Sequence, residues 1–207
     1  MPPTTVITLE RTADLCLRAL RRSGLGERSS AAVSRVVVAA ERDGCHSHGL
    51  FRIPGYCAAS ASGEVDGKAT PLVEDVAPGL VRVDAAGGFA PLAFEAGREM
   101  LVDKARTQGV ACLAIRRSSH FAALWYETEW LAQEPRGLVS FAFVNSKVRV
   151  GGGGSVPGAQ RWGITGTRTV PVLAARIVIL VDPYCAVSLL EAVHNMHRVI
   201  LVDPYVA

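Results

Sequence analysis

Leu80-Val81-Arg82-Val83-Asp84-Ala85-Ala86-Gly87-Gly88-Phe89-Ala90-Pro91-Leu92 is the stretch on which the fold turns. Its first five residues are apolar and β-branched at alternate positions, the four small residues after them suit a tight turn, and proline is tolerated in the first turn of a helix. The spacing predicts a strand over 80–84, a turn over 85–88 and a helix over 91–107 with Leu92, Ala96, Met100 and Leu101 on one stripe, closed by Gly109. Beyond it, Val110 to Ile115 reads as a buried strand, Phe121 to Gln133 as a helix carrying Trp125 and Trp130, and Leu138 to Val144 as another strand. A β-α-β-α-β order of this kind points to an α/β domain.

Toward the N-terminus the periodicity is helical. Leu15, Cys16, Ala19 and Leu20 fall on one face and Gly24 stops the pattern, while Ser29-Ser30 read as the cap of a second helix bearing Val33, Val36, Val37 and Ala40. From Ser47 to Ser62 the pattern stays helical but Pro54-Gly55 interrupts it, so one short helix is expected to end near Ile53 and another to begin at Pro54. Toward the C-terminus the character changes at Gly151-Gly152-Gly153-Gly154, a flexible or turn-like run. Val178-Ile179-Leu180-Val181-Asp182-Pro183-Tyr184 then recurs as Val199-Ile200-Leu201-Val202-Asp203-Pro204-Tyr205. Two copies are too few for a solenoid, and each reads as a short strand ending at Asp-Pro. The expected organisation is a helical region over 1–75, an α/β region over 76–150 and a divergent tail over 151–207.

Composition bounds the function. With 49% hydrophobic and 20% charged residues the chain is globular in type, and its apolar runs, Val36 to Ala40 and Ile177 to Val181 among them, fall far short of the roughly 20 residues of a membrane span. The N-terminus lacks the basic and apolar regions of a secretory signal, and the five cysteines are scattered and never arranged as CxxC, which favours free thiols in a reducing cytoplasm. A net charge of +3 without a basic stripe argues against nucleic acid and is compatible with an anionic ligand.

The chemistry concentrates in Arg42-Asp43-Gly44-Cys45-His46-Ser47-His48-Gly49-Leu50-Phe51-Arg52-Ile53-Pro54-Gly55-Tyr56. On a helix starting near Ser47, His48 and Arg52 stand at i and i+4 and share a face. Arginine holds a carboxylate through two hydrogen bonds, while histidine exchanges a proton near neutral pH and Ser47 can orient its ring. The alternative is that His46 and His48 merely satisfy a turn. A metal site from His46, His48 and His120 is disfavoured, since a spacing of two sends helical side chains apart, and no metal is assigned. The second cluster, Ser118-Ser119-His120-Phe121-Ala122-Ala123-Leu124-Trp125, joins a strand to a helix. It offers backbone N–H groups for phosphate and small alanines for a flat ring, or else is an ordinary junction capped by Ser119. No GxGxxG fingerprint or Gly-Lys-Ser/Thr loop is present, so a Rossmann site is unsupported; Arg116-Arg117 could meet a phosphate or simply be solvated.

Asp43 to Tyr56 resembles the Asp-Ser-His-Gly…Arg-x-Pro-x-Tyr signature of the malate/L-lactate dehydrogenase family, whose nicotinamide-cofactor fold is not Rossmann. The resemblance is strongest to the Δ1-piperideine-2-carboxylate/Δ1-pyrroline-2-carboxylate reductase branch. Ala61 to Pro71, Val81 to Ala90, Ser119 to Trp125 and Val144 to Ser146 extend it over roughly residues 10–150. The resemblance implies a helical N-terminal part followed by a mixed-sheet α/β domain. It implies a cytoplasmic homodimer that reduces cyclic 2-imino acids to L-pipecolate or L-proline with NADPH, or with NADH. It further implies Ser47 and His48 as the proton relay, Arg52 and Thr167 toward the substrate, and His120, Phe121, Ala122, Ala123 and Leu124 toward the cofactor. Other readings are a 2-oxo-acid dehydrogenase of the malate or lactate type, a remnant that only binds or dimerises, and a metal hydrolase.

After Val150 the pattern departs: Gly166-Thr167 is the nearest counterpart of the family's Gly-Thr-Asn-Pro segment, with Arg168 in place of Asn, and the later relay Asp has no counterpart. The fold is therefore expected to be incomplete at the C-terminus and to bind NADPH weakly. Titration followed by intrinsic tryptophan fluorescence checks this, and submicromolar binding would overturn it.

Overall fold

The computed structural model describes residues 6–120, 122–123, 125–133, 138–147, 160–165 and 177–181. Two antiparallel-packed amphipathic helices open the chain. Helix α1 spans Leu9–Arg22, capped by the Thr8 hydroxyl, which accepts from Arg11 N at 3.2 Å, and ends in Arg21 and Arg22, where cations meet the negative end of the helix dipole. Helix α2 spans Glu27–Arg42. Its N-cap is Gly26, and the expected cap residues Ser29 and Ser30 lie buried inside it. Ser30 donates its hydroxyl proton to Leu25 O at 3.4 Å, which satisfies the group without a cap role.

Two single 3-10 turns, His46–His48 and Leu50–Arg52, lead into α3, Ile53–Ala61, with Pro54 in its first turn, as the proline break requires. These helices share a core built from Cys16, Leu20, Val33, Val37, Ile53 and Tyr56.

The remaining elements are β1 (Leu72–Ala77), β2 (Leu80–Asp84), α4 (Ala90–Gln108), β3 (Val110–Arg116), α5 (Trp125–Ala132), β4 (Val139–Lys147), β5 (Gln160–Thr165) and β6 (Ile177–Val181). The strands form one sheet in the order β1-β2-β3-β6-β4-β5. β2 pairs parallel with β3, β6 pairs parallel with both β3 and β4, and the outer strands β1 and β5 pair antiparallel. The α/β class with a mixed sheet is thus as expected.

Three features differ. Strand β1 is not among the elements expected from the sequence. It is mostly exposed, so it lacks the alternation that marks a half-buried strand. α5 begins at Trp125, four residues later than the periodicity suggests. The first copy of the repeated segment supplies a strand in the interior of the sheet, while its second copy lies outside the described residues. No helix among the described residues is long and apolar enough to cross a membrane.

Helix α4 fixes the distance between helix and sheet. Phe94, Leu101, Leu113 and Ile115 are fully buried where it meets β2 and β3, each contributing about 1.5–3 kcal/mol of apolar burial. The approach is close because Gly97 has no side chain: a Cβ there would stand 2.6 Å from Val83 Cγ2 and 2.9 Å from Leu113 Cδ1. Gly97→Ala gains about 1 kcal/mol of helix propensity but overpacks two buried side chains at about 1–3 kcal/mol. The expected outcome is a lower urea midpoint at unchanged m-value; a raised midpoint would show that the helix–sheet contact yields freely.

Candidate active site

The His46–Arg52 segment is organised by a residue that motif reading passed over. Glu41 sits in the last turn of α2, where the helix dipole disfavours an acid. It is held there by the loop that follows. Its Oε2 lies 2.6 Å from His46 Nδ1 and its Oε1 accepts from Leu50 N at 2.7 Å. Gly49 passes directly beneath, so close that a Cβ would fall 1.9 Å from Glu41 Oε1. An acid out of place at a helix C-terminus was the available signal. His46, one of the three histidines weighed for metal, is taken up in this contact.

Ser47 and His48 follow as one unit. Ser47 Oγ is 3.0 Å from His48 Nδ1, and Cys45 Sγ is 3.6 Å from the same nitrogen. The continuous helix expected to align His48 with Arg52 is absent, because Gly49 separates two 3-10 turns. The two residues are brought together differently. Arg52 folds back, and its Nε donates to Ser47 O at 2.7 Å. Burial lowers the His48 pKa from the ordinary 6.5, and the Arg52 charge lowers it further. The imidazole is accordingly neutral at pH 7.

The second cluster arrives from the sheet. His120 and Ala122 have positive φ, 50° and 58°, so the chain after β3 turns left-handed instead of entering a helix at Phe121. Such non-glycine residues cost on the order of 1–3 kcal/mol each and persist where the surroundings over-determine them. The His120 ring rests on Tyr56, centroids 5.1 Å apart, and on Phe89 at 5.9 Å, and Tyr56 meets Phe89 at 5.4 Å. Burial lowers the His120 pKa; Glu64 opposes this and Arg52 adds to it. Burial raises the Tyr56 pKa, with Arg52 opposing. The field of Arg52 therefore reaches His48, Tyr56 and His120, and the Tyr56–His120 ring contact joins the two clusters.

Ala123 is buried and Ala122 half-buried beside this group. Phe121, Leu124 and Thr167 lie outside the described residues. Arg116 and Arg117 keep exposed side chains, as the solvated reading expects, but each also pairs with a carboxylate. Arg117 Nε donates to Asp84 Oδ1 at 2.8 Å, and Arg116 pairs with Asp84 at 3.0 Å and Glu74 at 3.3 Å.

Comparison with known proteins places this architecture. The family described as malate/L-lactate dehydrogenase matches residues 7–157. A Δ1-pyrroline-2-carboxylate/Δ1-piperideine-2-carboxylate reductase of Pseudomonas syringae pv. tomato is 45% identical over 174 residues, covering 84% of this chain and 49% of the relative. The protein of the same name from Pseudomonas putida is 50% identical over 154 residues, covering 74% and 43%. Among solved structures, a Δ1-piperideine-2-carboxylate reductase from P. syringae superimposes with a TM-score of 0.61 at 50% identity, over 62% of this chain and 39% of that one. A malate dehydrogenase from Pyrococcus horikoshii OT3 gives 0.66 at 22% identity, over 77% and 46%, a likeness of fold. The chain belongs to the malate/L-lactate dehydrogenase family. It spans about half the length of the curated relatives it matches.

The shared field is measurable. In NMR titrations the His48 and His120 rings should lose their protons below pH 6.5, and Arg52→Gln should raise both pKa values part of the way, since burial is the larger cause at each. Titrations that Arg52→Gln leaves unmoved would separate the two clusters.

Proposed function

We propose that this family member serves the NADPH-dependent reduction of cyclic 2-imino acids, Δ1-piperideine-2-carboxylate to L-pipecolate and Δ1-pyrroline-2-carboxylate to L-proline. The observation that carries the reading is a histidine kept neutral beside an arginine that forms no ion pair among the described residues. The names of the Pseudomonas relatives support the same substrate class.

The segment after β3 fits a flat, mostly apolar ring. Its small side chains at Ala122 and Ala123 leave room, and the Tyr56–Phe89–His120 group provides an aromatic wall. In this reading His120, Phe121, Ala122, Ala123 and Leu124 hold the nucleotide. A bound reduced nicotinamide supplies a hydride to the carbon that carries the substrate carboxylate.

The chain's own residues do the rest. Arg52 keeps its terminal nitrogens outside the bond to Ser47 O, and they pair with the substrate carboxylate in two charge-assisted hydrogen bonds. That pairing sets the position of the adjacent C=N carbon. The ring nitrogen of a cyclic imine already bears a proton in its iminium form, so the site has to accept a hydrogen bond there. Neutral His48 provides that acceptor. Ser47 matches it, because a hydroxyl both donates and accepts and so holds Nδ1 whichever tautomer is present. A 2-oxo acid makes the opposite demand, a proton delivered to the ketone oxygen by an imidazolium. The lowered His48 pKa opposes that demand at pH 7.

The deciding assay is NADPH oxidation with the two cyclic imines beside pyruvate and oxaloacetate. The imines should be preferred by about tenfold or more in kcat/KM, His48→Ala should cost about 100-fold, and Arg52→Ala should raise the KM for imine about 10- to 100-fold. Since the neutral form of His48 is the working one, kcat/KM should rise with pH along a limb that lies below 6.5. A preference for the oxo acids, a rate that falls across that limb, or indifference to His48→Ala would each refute the reading.

A further inference from the structure

Four non-glycine residues among the described ones adopt positive φ: Ala86, Arg117, His120 and Ala122. All four fall in two short loops, the one after β2 and the one after β3. β2 and β3 are parallel and in register, with Asp84 opposite Arg116, so the two loops leave the sheet side by side. Their backbones then stay joined. Ala85 N donates to Arg116 O, and Gly87 N to Arg117 O, each at 2.8 Å; Ser119 N donates to Gly88 O at 2.9 Å and Ala90 N to Ser119 O at 3.0 Å.

Beneath this seam lies a carboxylate that the proposed reaction does not use. Asp84 is 4% exposed. Its Oδ1 accepts from Ala86 N at 2.8 Å and from Arg117 Nε at 2.8 Å, and its Oδ2 accepts from Arg117 Nε at 3.0 Å and pairs with Arg116 at 3.0 Å. Glu74 of β1 stands behind Arg116 at 3.3 Å. Asp84 thus bonds directly to the first left-handed residue of each loop, through the backbone of Ala86 and the side chain of Arg117. A buried charge with this many partners is costly to move, and strained turns persist where something over-determines them.

We propose that Asp84 is a positioning residue for nucleotide binding: one buried carboxylate latches the two loops together, so that the left-handed His120 and Ala122, with Ala123 beside them, are set in place before a nicotinamide nucleotide arrives. The proposal rests on reading 118–124 as the nucleotide segment. Asp84 acts through the loops and not on the reacting atoms. Setting a binding loop in advance removes an ordering cost from association, so loss of the latch appears in nucleotide affinity and not in the proton step at His48.

The test uses the full chain, Asp84→Asn, and Arg117→Gln, which breaks the latch from its exposed side should the first variant not fold. Asn is close in shape and still accepts from Ala86 N, but no longer binds the guanidinium groups as a charge. Three readouts are taken: the rate of tryptic cleavage after Arg116, the loop site that both variants keep, the Kd for NADPH by nucleotide fluorescence, and the pH profile of imine reduction. Cleavage should quicken by about fivefold or more and NADPH affinity should fall by about tenfold, with the acid limb of the profile unmoved. Asp84→Glu, which keeps the charge, should recover part of the resistance to trypsin. A merely structural role would instead lower the thermal midpoint and the folded fraction while leaving the Kd of the folded protein alone. NADPH affinity within about twofold of wild type in either folded variant overturns the proposal. If the variants weaken NADPH binding but the wild type reduces no imine, the latch stands and the substrate reading falls. If imines are reduced and the Kd is unmoved, the reverse holds. A wild type that binds neither NADPH nor NADH overturns both.

Discussion

The contact on which the rest of the arrangement depends is Phe89. By chain position it belongs to the junction between β2 and α4, but its ring packs with the helical core, against Tyr56. Its backbone bridges to Ser119 on the neighbouring loop. One fully buried side chain therefore joins three things: the helices that carry Ser47, His48 and Arg52, the first crossover of the sheet, and the turn that carries His120. Tyr56 reaches it from one helical turn beyond Arg52, so the guanidinium and the His120 ring are referred to the same aromatic group. Removing that ring would leave only the direct contact of Tyr56 with His120 in this aromatic group.

Around this joint the charges are sorted. Arg42, Arg82, Arg116 and Arg117 each meet a carboxylate. Arg52 instead bonds a neutral carbonyl, and no cancelling charge comes with that bond. Its field holds down the pKa values of His48 and His120 together with burial. A site with one cation and two neutral imidazoles is suited to an anion, and the proposed preference for an anion already carrying a protonated nitrogen follows from what a neutral imidazole can accept. The same logic explains why the net charge of the chain said little: most of its basic groups near the site are spent on internal carboxylates.

What could be read in the sequence was what is local and periodic. The strands at 80 and 110, the helix between them and its glycine stop are written in short-range pattern, and so is the break at Pro54. β1 was illegible because an exposed edge strand has no buried face to betray it, and its Glu74 and Asp75 are used for ion pairs. The place of β6 between β3 and β4 depends on pairing across 67 and 38 residues, which no window of sequence contains. At the site, the residue types at 47, 48 and 52 suggested an anion and a proton, but the reason given for their proximity was wrong. A carbonyl hydrogen bond does what helical spacing was expected to do. Glu41 was missed because its partners stand five and nine residues away on a loop.

The left-handed residues carry a further lesson about side chains. Glycine would adopt each of these conformations without strain, so a non-glycine residue there has to repay what it costs. For Arg117 and His120 the repayment is visible, in the pair with Asp84 and in the stacking on Tyr56 and Phe89. Ala86 is held through its backbone N–H on Asp84, and the side chains of Ala86 and Ala122 offer only a methyl group. What a methyl group does supply is restriction, since alanine explores far fewer backbone states than glycine when the loop is released. A loop of glycines would lie in the same place with less strain, and would also leave it more readily. Strain tolerated at Ala86 and Ala122 marks turns whose narrow range of shapes matters more than their local energy, as the proposed meeting of the second turn with a flat rigid ring would require.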